Sequence, residues 1–318
     1  MRCSLALISA LLIAASVATA ADDPIVPEDA KLEKLWGEGE FTEGPVYGPG
    51  AKIYFSDIGN RIMVYDPATG KTSSYRDPSG RANGMDCDPD GRLVVCEGAN
   101  KGGNRRVTRT EKDGTITVLA DKWKGKKLNS PNDVTIDTKG RIYFSDPRYT
   151  GDEPREIDTE SVYRIDADGT VTQLITDVQK PNGILIAPDM KTLYVADSNP
   201  KGNQQLLAFP LKADGSVGEK KLLYDFGKDR GIDGMVVDAK GNIYGAAGDG
   251  KKGGVYIFNP EGKQIGFIPV PETPTNCVFG DKDRKSLYVT AGKSLYRIKL
   301  KNEGFAVYWP KEDGSPKP

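Results

Sequence analysis

An all-β, six-bladed β-propeller with mostly four-stranded antiparallel blades is the architecture written into this chain, and three features carry it. Thirty-seven glycines and twenty-one prolines among 318 residues leave little room for long helices. A unit made of a short apolar strand, an Asp- and Gly-rich turn and an aromatic-containing strand recurs six times. Its starts, at residues 43, 83, 132, 182, 233 and 276, lie 40 to 51 residues apart, which is the length of a propeller blade.

The inner strands begin Glu43-Gly-Pro-Val-Tyr47, Asn83-Gly-Met-Asp-Cys87, Asn132-Asp-Val-Thr-Ile136, Asn182-Gly-Ile-Leu-Ile186, Asp233-Gly-Met-Val-Val237 and Asn276-Cys-Val-Phe279. Second strands follow at Lys52–Asp57, Arg92–Cys96, Arg141–Asp146, Thr192–Asp197, Asn242–Ala247 and Ser286–Thr290. Third strands such as Arg61–Tyr65 and Gly254–Phe258 come next, and most blades gain a fourth. One twisted sheet cannot bury both its faces, so the blades must stack around an axis and close into a ring. Leu32–Trp36 precedes the first blade and Phe305–Trp309 follows the last, and one or both is expected to complete blade six. Residues 21–318 then form a single domain.

Residues 1–20 read as an export signal: a charged start at Arg2, an apolar run from Leu5 to Val17, and the small residues Ala18-Thr19-Ala20 before the cleavage point. The expectation is a secreted or periplasmic protein with no membrane association after cleavage. Formal charge is −1 with both signs interspersed, and no basic stripe suggests nucleic acid. Cys87, Cys96 and Cys277 remain after cleavage, so at most one intramolecular disulfide can form; a Cys87–Cys96 bond is left open. A balanced surface suits a monomer.

The chain has no histidine. That excludes a Ser-His-Asp triad, a Cys-His pair, a His-ligated zinc and a histidine general base. Chemistry must run on carboxylates, amides, hydroxyls, Lys, Arg or a hard metal ion.

The functional reading comes from the heads of the six inner strands, Glu43, Asn83, Asn132, Asn182, Asp233 and Asn276, each a carboxylate or carboxamide. Innermost strands line a propeller's channel, so these side chains should converge near one mouth. Oxygen donors of mixed charge suit a hard divalent cation in the central channel, Ca²⁺ before Zn²⁺, Mn²⁺ or Mg²⁺, because two acids among four amides balance a double charge without crowding six anions. The competing reading is turn chemistry, since Asn or Asp before Gly is common in turns; it accounts poorly for Glu43. Asp86-Cys-Asp88-Pro-Asp90-Gly91 with Glu97 fits an EF-hand loop pattern, but β-strands flank it where helices are required, so it reads as a hairpin connection like Asp137–Gly140 and Asp238–Gly241.

Glu43-Gly-Pro, Ser130-Pro-Asn-Asp133 leading to Tyr143-Phe-Ser-Asp-Pro147, Pro181-Asn-Gly183 and Asp233-Gly-Met235 together resemble the SMP-30/gluconolactonase/luciferin-regenerating family, with bacterial gluconolactonases nearest. The resemblance spans essentially all of residues 21–318. It implies a metal held by Glu43, Asn132, Asn182 and Asp233, with Asp233 also as general base. Two departures stand out. Animal members place a substrate-gripping arginine where this chain has Ser130, and bacterial relatives often carry Cys-Glu-His where this chain has Cys96-Glu97 and a Gly/Lys insertion.

The expected activity is metal-dependent hydrolysis of a small lactone or ester, gluconolactonase-like, with the carbonyl polarised by the metal and water guided by Asp233. Asn83, Asn129, Ser130, Arg148 and Tyr149 are the candidate substrate contacts. The rival readings are a related calcium phosphotriesterase or strictosidine synthase-like enzyme, and a non-enzymatic Ca²⁺-stabilised propeller binding sugar or protein.

Overall fold

The computed structural model describes residues 25–99 and 101–310. The expected export signal lies outside the described residues. Six four-stranded antiparallel sheets follow in chain order, each running from the axis outward. Their innermost strands are Thr42–Gly48, Ala82–Cys87, Val134–Ile136, Pro181–Ile186, Met235–Val237 and Pro274–Gly280. Antiparallel hairpins explain the recurring turn: the Asp at its start accepts backbone N–H groups two and four residues on. Asp88 accepts from Asp90 and Arg92, Asp137 from Lys139 and Arg141, and Asp238 from Lys240 and Asn242. The EF-hand look-alike is therefore one member of a family of capped hairpins.

The ring closes on the N-terminal side. Glu33–Trp36 pairs antiparallel with Ser294–Lys299 and becomes the fourth strand of blade six. Trp36 meets Phe55 of blade one edge-on, with ring centroids 5.3 Å apart, so the seam is packed as well as hydrogen-bonded. Phe305–Trp309 forms no strand. It crosses the far end of the channel, where the Phe305 N–H bonds the Val237 carbonyl at 3.0 Å and Phe305, Ala306, Val307 and Tyr308 line the space beneath the inner strands.

Blades touch through large apolar residues of their first and second strands. Tyr244 of blade five meets Phe279 of blade six at 5.0 Å, and Phe55, Phe144, Tyr143 and Tyr288 are fully buried. Cys87, Cys96 and Cys277 are buried as free thiols, which settles the open Cys87–Cys96 question.

Near the axis, the inner strands depart from regular pairing at their heads. Register shifts fall between Glu43 and Val46, Ala82 and Met85, Pro181 and Ile184, and Pro274 and Asn276. Such bulges re-aim a side chain, here toward the axis. The glycine that follows four of these heads serves close approach. A Cβ on Gly84 would sit 2.6 Å from the Asn132 carbonyl oxygen, and one on Gly183 would sit 2.4 Å from that of Asp233. Neither of these two glycines has positive φ, so left-handed turn geometry is not what selects them. At these four places one blade head rests directly on the next.

Asp238 ties this scaffold to the C-terminal tail, since its second oxygen accepts from Asn242 and Asn302 at 2.7 Å and from the Tyr244 hydroxyl at 3.1 Å, with the residue fully buried. Asp238→Ala leaves those donors unmet, and chemical denaturation should register a loss of about 2–4 kcal/mol. A loss under about 0.5 kcal/mol would show that the tail does not depend on it.

Candidate active site

Second strands end in carboxylates that hold the site in place. Asp57 accepts the N–H groups of Glu40 and Phe41, Asp146 those of Asn129 and Ser130, and Asp197 those of Gln179 and Lys180. In all three blades the last residue pinned stands two positions before a blade head: Glu43, Asn132 and Asn182. A carboxylate with two backbone donors is a rigid clamp, so the approach to each head is fixed from behind.

Glu43, Asn83, Asn132, Asn182 and Asp233 line one vestibule of about 850 Å³ at the mouth of the channel. Asn276, the sixth head, does not. Its Oδ1 accepts the Cys277 N–H at 2.8 Å, and the residue faces the closed channel below together with Asp86 and Asp133.

Two carboxylates from blades one and five meet at the hub. Glu43 is buried, with Oε2 accepting the Gly44 N–H at 3.0 Å. Asn182 Nδ2 donates to Asp233 Oδ1 at 2.6 Å, and Arg230 Nη2 lies 2.5 Å from Asp233 Oδ2. Burial pushes the Glu43 carboxyl well above the usual range, and the Asp233 charge pushes it further. Burial also raises Asp233, against the opposing pull of Arg230 and the hydrogen bonds from Asn182 and Glu43. Among the described residues no three acids or thiols stand close enough to hold a metal ion by themselves. The donor set is two carboxylates with amides beside them, all oxygen-bearing, and the mutual repulsion of the acids is what a hard cation relieves. Glu43, Asn132, Asn182 and Asp233 thus fit a divalent ion.

Of the expected substrate contacts, Asn83, Ser130 and Tyr149 line the vestibule. The Tyr149 hydroxyl donates to the Ser198 carbonyl at 2.9 Å and Lys180 Nζ sits 4.9 Å from its ring centroid, which fixes it as a wall. Ser130 Oγ accepts the Ala99 N–H at 2.8 Å. Asn129 and Arg148 do not line the vestibule. Asn129 is fully buried and donates to the Thr159 carbonyl, held inward by the Asp146 clamp. Arg148 turns from the cavity to Glu153, with its side chain 8% exposed.

Sequence reasoning missed two lining arginines. Arg230 anchors Nη1 on the carbonyls of Pro274 at 2.9 Å and Gly248 at 3.2 Å while meeting Asp233, yet in sequence it belongs to an ordinary charged run, Lys228-Asp-Arg230. Arg81 had a signal: it stands two residues before Asn83, the offset that Ser130 keeps before Asn132.

Residues 41–293 match the SMP-30/gluconolactonase/LRE-like region. The chain belongs to that family. A gluconolactonase of Zymomonas mobilis is 30% identical over 312 residues, covering 89% of this chain and 85% of the relative. A pentonolactonase of Haloferax volcanii is 30% identical over 255 residues, covering 78% and 80%. The solved structure of a gluconolactonase from Xanthomonas campestris superposes with a TM-score of 0.78 at 29% identity, over 88% of this chain and 95% of that one.

Beneath the site, burial drives the Asp86 carboxyl up to about 7, with Asp133 and Asp88 adding repulsion and the N–H groups of Cys87 and Ile136 opposing it. Below its usual 3.8 the group is protonated folded or unfolded. As pH rises toward about 7 the unfolded chain releases the proton first, so this contribution to stability is lost across that window. Thermal unfolding should show Asp86→Asn gaining on wild type at pH 8 relative to pH 5; an unchanged difference would contradict the shift.

Proposed function

We propose that this protein is an exported, metal-dependent lactonase that opens sugar lactones of the gluconolactone type to their hydroxy acids. The observation that carries the reading is the pairing of buried Glu43 with partly buried Asp233, beside Asn132 and Asn182, in the floor of an open vestibule. Kinship with gluconolactonases and a pentonolactonase supports the substrate class.

Glu43, Asn132, Asn182 and Asp233 would hold the ion, with Ca²⁺ favoured by an all-oxygen set. When bound, such an ion supplies Lewis-acid polarisation of the ester carbonyl. The residues of the chain do the rest. Asp233, held by Asn182 on one oxygen and facing Arg230 with the other, orients a water toward the carbonyl carbon. From there it can take a proton as the water adds and return it to the ring oxygen as the C–O bond opens. Asn83 and Ser130 face the sugar hydroxyls, and Tyr149 supplies an aromatic wall. The chain has no histidine to act as the base, and the Asp233 carboxylate lines the vestibule.

Hydrolysis of glucono-1,5-lactone, corrected for spontaneous opening, tests this in protein stripped of metal and resupplied with Ca²⁺, Zn²⁺, Mn²⁺ or Mg²⁺. The expected result is metal-dependent turnover, with Asp233→Asn lowering kcat/KM by about 100-fold or more. Folded, metal-loaded protein that does not exceed the spontaneous rate would remove this substrate.

A further inference from the structure

The vestibule holds a charge that hydrolysis of a neutral lactone does not use. Its side from blades one to three includes Phe41, Ile58, Asn83, Gly98 and Ser130, and apart from Glu43 in the floor the charged side chain there is Arg81. Arg81 Nη1 touches the Ile58 carbonyl at 3.3 Å, and among the described residues its guanidinium has no carboxylate partner. The opposite wall differs. There Arg230 meets Asp233 at 2.5 Å, and Lys201 and Lys228 share the lining with Asp229 and Asp249.

The backbone at Arg81 is costly for the residue that occupies it. Its φ of +66° lies in the left-handed region, which glycine or asparagine enters at less cost. Two bonds hold it there, from the Arg81 N–H to Asn60 Oδ1 at 2.9 Å and from the Gly98 N–H to the Arg81 carbonyl at 2.9 Å. A guanidinium that is partly withdrawn from water, with donors to spare, calls for an anionic acceptor, and its planar fork matches carboxylate or phosphate oxygens. About 850 Å³ is ample for a sugar lactone with a substituent.

We infer that Arg81 is a specificity residue that receives an anionic group of the substrate, so the preferred substrates are sugar lactones bearing a second acidic group, a carboxylate or phosphate ester, remote from the ring ester. This rests on the lactonase reading.

The test compares kcat/KM of the metal-loaded protein for glucono-1,5-lactone, 6-phosphoglucono-1,5-lactone and glucaro-1,4-lactone, in wild type, Arg81→Gln and Arg81→Lys. Calorimetry on gluconate, 6-phosphogluconate and glucarate runs beside it and needs no turnover. Wild type should favour at least one doubly functional lactone about tenfold or more over the neutral one, and bind the matching doubly acidic product about tenfold tighter than gluconate. The phosphate and carboxylate arms identify the acid. Arg81→Gln should bring both ratios to within about threefold, with Arg81→Lys in between. Wild-type ratios near one, or ratios that Arg81→Gln leaves intact, would overturn the inference. Arg81-dependent affinity for the doubly acidic product without hydrolysis of any lactone would sink the lactonase reading and leave the anion site standing.

Discussion

Two carboxylates brought together at the hub, buried Glu43 from blade one and partly buried Asp233 from blade five, set the terms for the rest of the molecule. Like charges out of water repel strongly, and the pair persists only because the ring cannot open to let them part. Closure by Glu33–Trp36 on Ser294–Lys299, the Asp57, Asp146 and Asp197 clamps behind the heads, and glycines that let four of the heads rest on the next all keep the donors pointed inward. Without a cation, Arg230, the amide of Asn182 and shared protons are what the protein itself can offer against that repulsion. Those partial remedies make the place attractive to a hard divalent ion.

The same geometry explains how one fold can do hydrolytic chemistry without histidine. A carboxylate near neutral pH is ordinarily a poor base. Before an ion binds, burial raises the proton affinity of Asp233 while Arg230 and the hydrogen bonds with Asn182 and Glu43 pull the other way, and those same partners keep it oriented. Clamps two residues upstream of Glu43, Asn132 and Asn182 mean that little ordering remains to be done when substrate arrives. Phe305–Tyr308 line the channel under the site, and the vestibule opens on the other side.

Much of this was legible from the chain. Strand periodicity placed all six blades, because alternation of apolar side chains reports sheet faces directly. The head positions stood out because a single structural demand recurs at each, and the Asp-x-x-Gly hairpins betrayed the EF-hand pattern as a turn. What escaped depends on neighbours distant in sequence. Asn276 looks like the other heads, yet faces the channel below, beside Asp133. Asn129 and Arg148 flank the site in sequence, but the Asp146 clamp and Glu153 draw them inward. Phe305–Trp309 has the composition of a strand and serves as a plug, since the edge it was expected to fill is already taken by Glu33–Trp36. Arg230 and Arg81 sit on loops, where no periodicity says which way a side chain points.

Calorimetric titration of metal-stripped protein with Ca²⁺, in wild type and in Glu43→Gln with Asp233→Asn, tests most directly whether the hub pair is a cation site. A single saturable site in wild type, lost in the double variant while the fold survives by circular dichroism, is the predicted result. Folded wild-type protein that takes up no divalent ion, or a double variant that binds as tightly, would contradict it.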